Sequence, residues 1–198
     1  MAADRPQQIP IDLAPAPSFA ADDFVPTPSN QLALAFLDNW PDWPQVGAIL
    51  VGPAGAGKSH LASIIAERAA TAIQQLASIA AIDKDANLII LDCGEGGAFD
   101  EEALFHLHNL AHAQGQSLLM TCTGVAHQMP FALPDLASRM IGTTVAKLTP
   151  PDDLLLSAVL AKLFSDRQIV PMPDVIPYLV RWMPRSFAAA GHVVAHLD

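Results

Sequence analysis

Short apolar runs alternate along this chain with stretches in which apolar positions recur every three or four residues. Residues 48–51 (Ala-Ile-Leu-Val), 88–91 (Leu-Ile-Ile-Leu) and 118–120 (Leu-Leu-Met) are apolar without a polar break. That is the pattern of strands buried on both faces of a parallel sheet. Residues 144–148 predict a fourth, amphipathic strand, and residues 70–73 a short further one. A helix is predicted over 31–40 from Leu32, Leu34, Phe36 and Leu37, with Ser29 or Asn30 as its cap and Pro41 and Pro44 beyond its end. Residues 60–70 predict a second helix and residues 74–81 a helical turn or two. Residues 99–114 carry Leu104, Phe105, Leu107, Leu110 and Ala111 at helical spacing, with Gly115 suited to the C-cap.

Pro150 and Pro151 then end the strand signal. Helices are predicted over 152–165, 173–182 and 185–196, the first opening on acidic residues that suit the helix dipole. Strands alternating with helices predict an α/β fold, a parallel sheet flanked by helices, followed by a small all-helical lid. Residues 1–28 hold six prolines and little periodicity, the pattern of an extended tail. The expected division is thus a tail (1–28), an α/β domain (29–149) and the lid (150–198).

Composition narrows the function classes. With 198 residues, just over half of them hydrophobic, the chain can bury a full core. Twenty acidic against ten basic residues give a net charge of −10, which argues against a surface built to neutralise DNA phosphates. No direct sequence-specific DNA contact is expected. Two cysteines, Cys93 and Cys122, are too few for a disulfide framework and suit a reducing cytoplasm. Two buried thiols are the expectation, although each closes an expected neighbouring strand. No apolar stretch reaches the ~20 residues that span a bilayer, and Met1–Pro6 lacks the start of a signal peptide. A cytoplasmic protein without membrane attachment is expected.

The most specific chemistry lies at residues 52–59, Gly-Pro-Ala-Gly-Ala-Gly-Lys-Ser, which fit the P-loop pattern G-x-x-x-x-G-K-[ST] between a strand and a helix. Such glycines let backbone N–H groups form a nest around phosphate, and the helix N-terminus adds partial positive charge. Gly52, Pro53, Ala54, Gly55, Ala56, Gly57, Lys58, Ser59 and His60 are therefore the expected nucleotide cradle. Lys58 would reach the β- and γ-phosphates, and Ser59 would ligate Mg²⁺. Asp92, directly after the strand 88–91, is the expected acidic residue that orders Mg²⁺. Hydrolytic P-loop proteins usually carry a second acidic residue next, and here that position is Cys93. A thiol holds water weakly, so intrinsic hydrolysis is expected to be slow or absent.

Residues 101–121, Glu-Glu-Ala-Leu-Phe-His-Leu-His-Asn-Leu-Ala-His-Ala-Gln-Gly-Gln-Ser-Leu-Leu-Met-Thr, resemble the helix and sensor-1 strand of the bacterial replication initiator DnaA. Residues 133–140, Leu-Pro-Asp-Leu-Ala-Ser-Arg-Met, resemble the L-x-S-R box that follows in that family. With the P-loop, Asp92 and the lid, the resemblance covers roughly residues 30–197. It implies an AAA+ module, and the absence of a basic helix-turn-helix segment after the lid makes it similar to the regulatory inactivator family Hda. What that family implies is a protein that binds ADP or ATP, joins the DNA-loaded sliding clamp (the β subunit of DNA polymerase III) and triggers hydrolysis of the ATP held by DnaA. Residues 8–13, Gln-Ile-Pro-Ile-Asp-Leu, resemble the family's clamp-binding peptide, with Gln8 offering amide hydrogen bonds and Ile11 and Leu13 filling an apolar groove. By the same resemblance Arg139 is an arginine finger acting in trans, and Arg185 is the sensor-2 arginine that reaches the nucleotide from the lid.

The chain departs from the family at three places. Cys93 replaces an acidic residue or Asn. Thr121-Cys122-Thr123 stands where the family has Thr-Ser-Asp, so the sensor-1 contact falls to Thr123 or Thr121. The span before Leu88 is short, so the second strand and its helix are trimmed. His106, His108 and His112 share one expected helix, but residue 109 is Asn rather than the Glu of a zinc motif, and the first two read as polar positions flanking the apolar ones. Trp40, Trp43 and Trp182 read as buried packing. Two other readings stay open: a self-sufficient ATPase working as a homodimer or larger oligomer, with Arg139 serving its own neighbour, and an adaptor in which nucleotide is structural.

Overall fold

The computed structural model describes residues 25–76, 85–94, 100–124 and 131–198. Gln8, Ile11 and Leu13 lie outside the described residues. The elements in chain order are α1 (Gln31–Asp38), β1 (Gly47–Gly52), α2 (Lys58–Arg68), β2 (Ile73–Gln75), β3 (Leu88–Asp92), α3 (Glu101–Gln114), β4 (Ser117–Thr123), α4 (Pro134–Gly142), β5 (Thr144–Lys147), α5 (Asp153–Asp166), α6 (Val175–Trp182) and α7 (Phe187–Leu197).

The five strands form one sheet in the order β2-β3-β4-β1-β5, and every pairing is parallel. Because a strand has a period of two, the apolar runs serve both faces. Ala48, Leu50, Leu88 and Ile90 pack with Leu61, Ile64 and Ile65 of α2 and with Ala33 and Leu37 of α1. Ile49, Val51, Ile89 and Leu91 turn the other way, onto Leu104, Leu107 and Ala111 of α3 and Leu136 and Met140 of α4. This double burial explains why the runs carry no alternation. The helices after β5 have their own core of Leu156, Leu160, Phe164, Val180, Ala190 and Val194, so the lid is a separate small packing unit.

Helix ends follow local chemistry. The Asp100 carboxylate caps α3 by accepting from the N–H of Ala103 at 3.0 Å, Asp152 caps α5 through Leu155 at 2.8 Å, and the Ser186 hydroxyl caps α7 through Ala189 at 3.1 Å. Gly115, at φ 68, ends α3 in the left-handed conformation. Asn30 occupies the N-cap position of α1, but its side-chain oxygen accepts from the N–H of Thr27 at 2.8 Å and leaves the helix itself uncapped.

Several expectations are corrected. The second strand lies at Ile73–Gln75 instead of 70–73. Ala70 takes φ 49 and closes the turn after α2, with the Thr71 N–H donating to the Ala66 carbonyl at 3.0 Å, so neither residue is available for pairing. Gln74 and Gln75, expected in a helical turn, instead align with Leu91 and Asp92 of β3; residues 77–81 of that turn lie outside the described residues. Residues 134–142, which carry the S-R box, form a helix the apolar pattern did not announce. Pro134 in its first turn needs no N–H there, and Leu136 and Met140 supply its buried face. Trp182 is 68% exposed, with the Arg181 guanidinium 5.5 Å from its ring, so it is not a core residue.

Candidate functional site

The site grows from the carboxyl edge of the sheet, where the neighbouring strands β1 and β4 send their crossovers toward opposite edges, to β2 and to β5. After Gly52 the chain turns through Pro53–Gly57 into α2. Gly55 (φ 70) and Gly57 (φ 94) adopt backbone conformations that strain any L side chain. Gly57 precedes α2 directly, so the first-turn N–H groups and the helix dipole face the loop. The Lys58 ammonium donates to the carbonyls of Gly52 and Pro53, each at 2.9 Å, which holds its charge across the loop. Ser59 is exposed in the first turn of α2 with His60 half-buried beside it, and Ala56 anchors the loop in the core.

Asp92 closes β3 and is aligned with Thr121 of β4. The Thr121 hydroxyl donates to Asp92 Oδ1 at 2.8 Å, and the Gly94 N–H donates to the same oxygen at 3.0 Å. The carboxylate is thereby oriented at the strand end. Of the two threonines considered for the sensor-1 contact, Thr121 is the one bonded to Asp92. Thr123 is exposed at the end of β4, in register with Gly52.

Cys93, directly after β3, and Cys122, on β4, follow one residue later, and their sulfurs lie 3.0 Å apart. The hydrogen bond between them, helped by the charge of Lys58, holds the Cys122 thiol below its ordinary range. The same bond, then burial, pushes Cys93 far above it. Cys93 therefore cannot serve as a base for water in the neutral range.

The lid rests on the loop. The Phe187 N–H donates to the Gly55 carbonyl at 3.0 Å. A Cβ on Gly55 would come within 2.5 Å of Ser186 Cβ, and one on Gly57 within 2.8 Å of Phe187 Cε2. Arg185 precedes α7 instead of starting it. It stands next to Ser186, but its guanidinium is held at the start of α5, on the Asp153 carboxylate and the Pro151 carbonyl. The structure thus brings together residues 52–60, Asp92, Thr121 and the 185–187 turn.

Arg139 lies elsewhere. It is exposed on α4, and its guanidinium carbon sits 5.2 Å from the centre of the Phe105 ring. It lines a cavity of about 530 Å³ with Trp43, Gly47, His108, His112 and Thr143. Gly47 begins β1 and Thr143 precedes β5, so this cavity opens at the amino edge of the sheet, opposite the phosphate loop. Instead of flanking the core as a polar position, His108 is buried at 8% exposure. Burial first, then the positive Arg139 and His112, hold its pKa below the ordinary value. His108 stands four residues after Leu104 and three before Ala111, the spacing of the buried face, but the apolar pattern did not count a polar side chain. Nor did it show that the Glu101 carboxylate accepts from the N–H groups of Ala132 and Leu133 at 2.9 and 2.7 Å and so ties α3 to the start of α4.

Left-handed glycines, a lysine ammonium and a helix N-terminus are the donor set for a nucleoside phosphate, while Ser59 and Asp92 offer the hard oxygens that Mg²⁺ takes. Among the described residues no three His, Cys, Asp or Glu side chains converge as a protein metal site, and no helix is long and apolar enough to cross a membrane.

No protein-family model and no curated protein matches the chain. Solved structures do. AMPPCP-bound DnaA from Aquifex aeolicus aligns with a TM-score of 0.74 at 14% identity, covering 92% of this chain and 65% of that one. Domain III of the replication initiation protein DnaA from Thermotoga maritima gives 0.69 at 16% identity, covering 91% and 87%. The RuvB Holliday junction branch migration motor of Thermotoga maritima gives 0.58 at 17% identity, covering 83% and 58%. The chain thus spans about 65% of the length of that Aquifex initiator. At these identities the likeness shows the fold, a P-loop AAA+ sheet with a helical lid of the DnaA type.

Proposed function

We propose that this chain is a nucleotide-binding regulator of the replication initiator DnaA, of the Hda type, acting in the cytoplasm. Its α/β domain and lid hold ADP or ATP with Mg²⁺ through residues 52–60 and Asp92. Thr123 and Arg185 border the pocket, and the tail carrying Gln8, Ile11 and Leu13 docks on the DNA-loaded sliding clamp. Two of the DnaA structures that the chain resembles hold a bound ATP analogue, AMPPCP, and the loop chemistry here suits such a ligand.

The placement of Arg139 carries this reading. Its cavity lies at the amino edge of the sheet, while its own phosphate loop follows the carboxyl end of β1. The six residues of β1 separate the two by about 3.3 Å each. Arg139 is thus badly placed for its own nucleotide and exposed for one carried by another molecule. A guanidinium brought to a neighbour's γ-phosphate stabilises transition-state charge and is worth about 10³–10⁵ in rate. The absence of an acidic residue at 93 agrees with a chain that holds nucleotide and leaves cleavage to its partner, with an intrinsic turnover well below about one per second.

The test is hydrolysis by ATP-loaded DnaA in the presence of clamp on DNA, with this chain, with its Arg139→Ala variant and with neither. Acceleration by the native chain that the variant loses, while both bind the clamp equally, is the expected result. Equal acceleration by both would leave the chain an adaptor. Concentration-dependent hydrolysis by the chain alone would make it a self-sufficient oligomeric ATPase.

A further inference from the structure

We propose that Cys93 and Cys122 are a modification site, a thiol pair that closes a reversible intramolecular disulfide at the acidic edge of the nucleotide pocket. The pair is set by the sheet and does not depend on loop chance. Asp92 is aligned with Thr121 in the parallel β3–β4 register, and the Cys93 N–H donates to the Thr121 carbonyl at 2.9 Å. The next residue along each chain segment is therefore a cysteine facing a cysteine, and the two sulfurs stand 3.0 Å apart. A disulfide needs ~2.05 Å between sulfurs and Cα atoms within about 4.4–6.8 Å; neighbouring strands, roughly 4.8 Å apart, already satisfy the second condition. Closure needs a shift of about one ångström and no change of fold.

Access is one-sided. Cys122 is 2% exposed, whereas Cys93 is only partly buried. Cys93 is therefore the sulfur that meets a reagent, and Cys122 resolves. With a low-molecular-weight disulfide such as oxidised glutathione, the pair loses one proton to solvent, Cys93 passes its own proton to Cys122 across their 3.0 Å contact, and the Cys93 thiolate attacks one sulfur of the reagent. That S–S bond breaks, and one small thiolate leaves and is protonated. Cys122 then loses its proton and attacks Cys93 Sγ, expelling the second small thiol. Two protein thiols and one small disulfide become one protein disulfide and two small thiols, the protein giving up two electrons.

The consequence for the pocket rests on the nucleotide reading above. Asp92 and Thr121, joined at 2.8 Å, are the residues immediately before the two cysteines. Drawing the sulfurs together twists the Asp92–Gly94 turn whose N–H orients the same carboxylate oxygen. Disturbing a partner of a metal-ordering carboxylate costs about tenfold in affinity at the mild end, so the oxidised chain should hold Mg²⁺-nucleotide about tenfold more weakly.

The full chain is equilibrated in glutathione buffers from reducing to oxidising, quenched with a thiol-alkylating reagent in denaturant, so that the buried Cys122 is also labelled, and weighed intact. Two labels under reducing conditions, falling to none without glutathione adducts or covalent dimers, is the expected result. Cys93→Ser should instead keep a single label or carry one adduct. Two labels on the native chain in the most oxidising buffer, or adducts and dimers in place of the internal bond, would overturn the proposal. Affinity for a fluorescent ADP analogue with Mg²⁺ is then compared between the two forms. Equal affinities would overturn the link to the pocket. Failure of the reduced chain to bind nucleotide would overturn that link along with the nucleotide reading, while the label count still decides the disulfide.

Discussion

Thr121 and Asp92 are joined side chain to side chain across neighbouring parallel strands, hydroxyl to carboxylate, at 2.8 Å. Thr121 is 1% exposed, so its hydroxyl has little water to turn to and the bond is an internal commitment of the sheet. Thr121→Val keeps the branched shape and removes the donor. The Gly94 N–H then orients Asp92 alone. Stability should fall by about 1–2 kcal/mol, and affinity for nucleotide in the presence of Mg²⁺ by about tenfold, with little change when Mg²⁺ is withheld. Titration with and without the metal separates the two effects, and an unchanged affinity in both would remove Asp92 from the metal's surroundings.

The lid's contact with the phosphate loop predicts a different kind of failure. Gly55→Ala must place a methyl 2.5 Å from Ser186 Cβ while keeping a left-handed backbone at φ 70. The loop and the lid cannot both stay where they are. A cost of about 1–3 kcal/mol is expected, with faster amide exchange at Phe187–Ala190 and unaltered exchange in β1 and β4. Equal protection of α7 in both proteins would mean that the lid does not rest on the loop in solution.

His108 supplies a pH dependence whose sign is fixed by its burial. Its folded pKa lies below the ordinary value, through burial foremost and then the charges of Arg139 and His112. Between the folded value and the unfolded value of about 6.5, the unfolded chain binds more protons, so stability rises with pH. The contribution is complete above that window and is lost as pH falls through it. The urea midpoint should drop as pH falls below the unfolded value of about 6.5, less steeply in His108→Gln. Parallel slopes for the two proteins would assign the loss to other groups.

Much of this was legible locally and little of it at a distance. The P-loop could be read because strand, glycines, Lys58 and helix are contiguous in the chain. The buried strands could be read because double burial leaves no polar residue in the run. The position of β2 could not, because Ala70 takes a left-handed turn that nothing in its side chain advertises, and the pairing partner Ile90 lies 17 residues beyond Ile73. The approach of Cys93 to Cys122 follows from register over a separation of 29 residues. The seating of Ser186 and Phe187 on Gly55 and Gly57 joins segments from opposite ends of the described chain, and composition carries no trace of it.

The carboxylate of Glu101 holds the turn before α4 by two backbone N–H groups, which makes the start of that helix a pivot. Arg139 is five residues beyond Pro134, hence only ~7.5 Å along the axis at 1.5 Å per residue. A tilt of about ten degrees about the pivot moves its Cα by roughly 1.3 Å on that lever arm. Swinging the helix therefore moves Arg139 little, and the larger change in its reach comes from the side chain unfolding from the Phe105 ring. A lysine there, with a compact ammonium in place of the broad guanidinium fork, would give up both the flat contact with the Phe105 ring and the paired N–H donors.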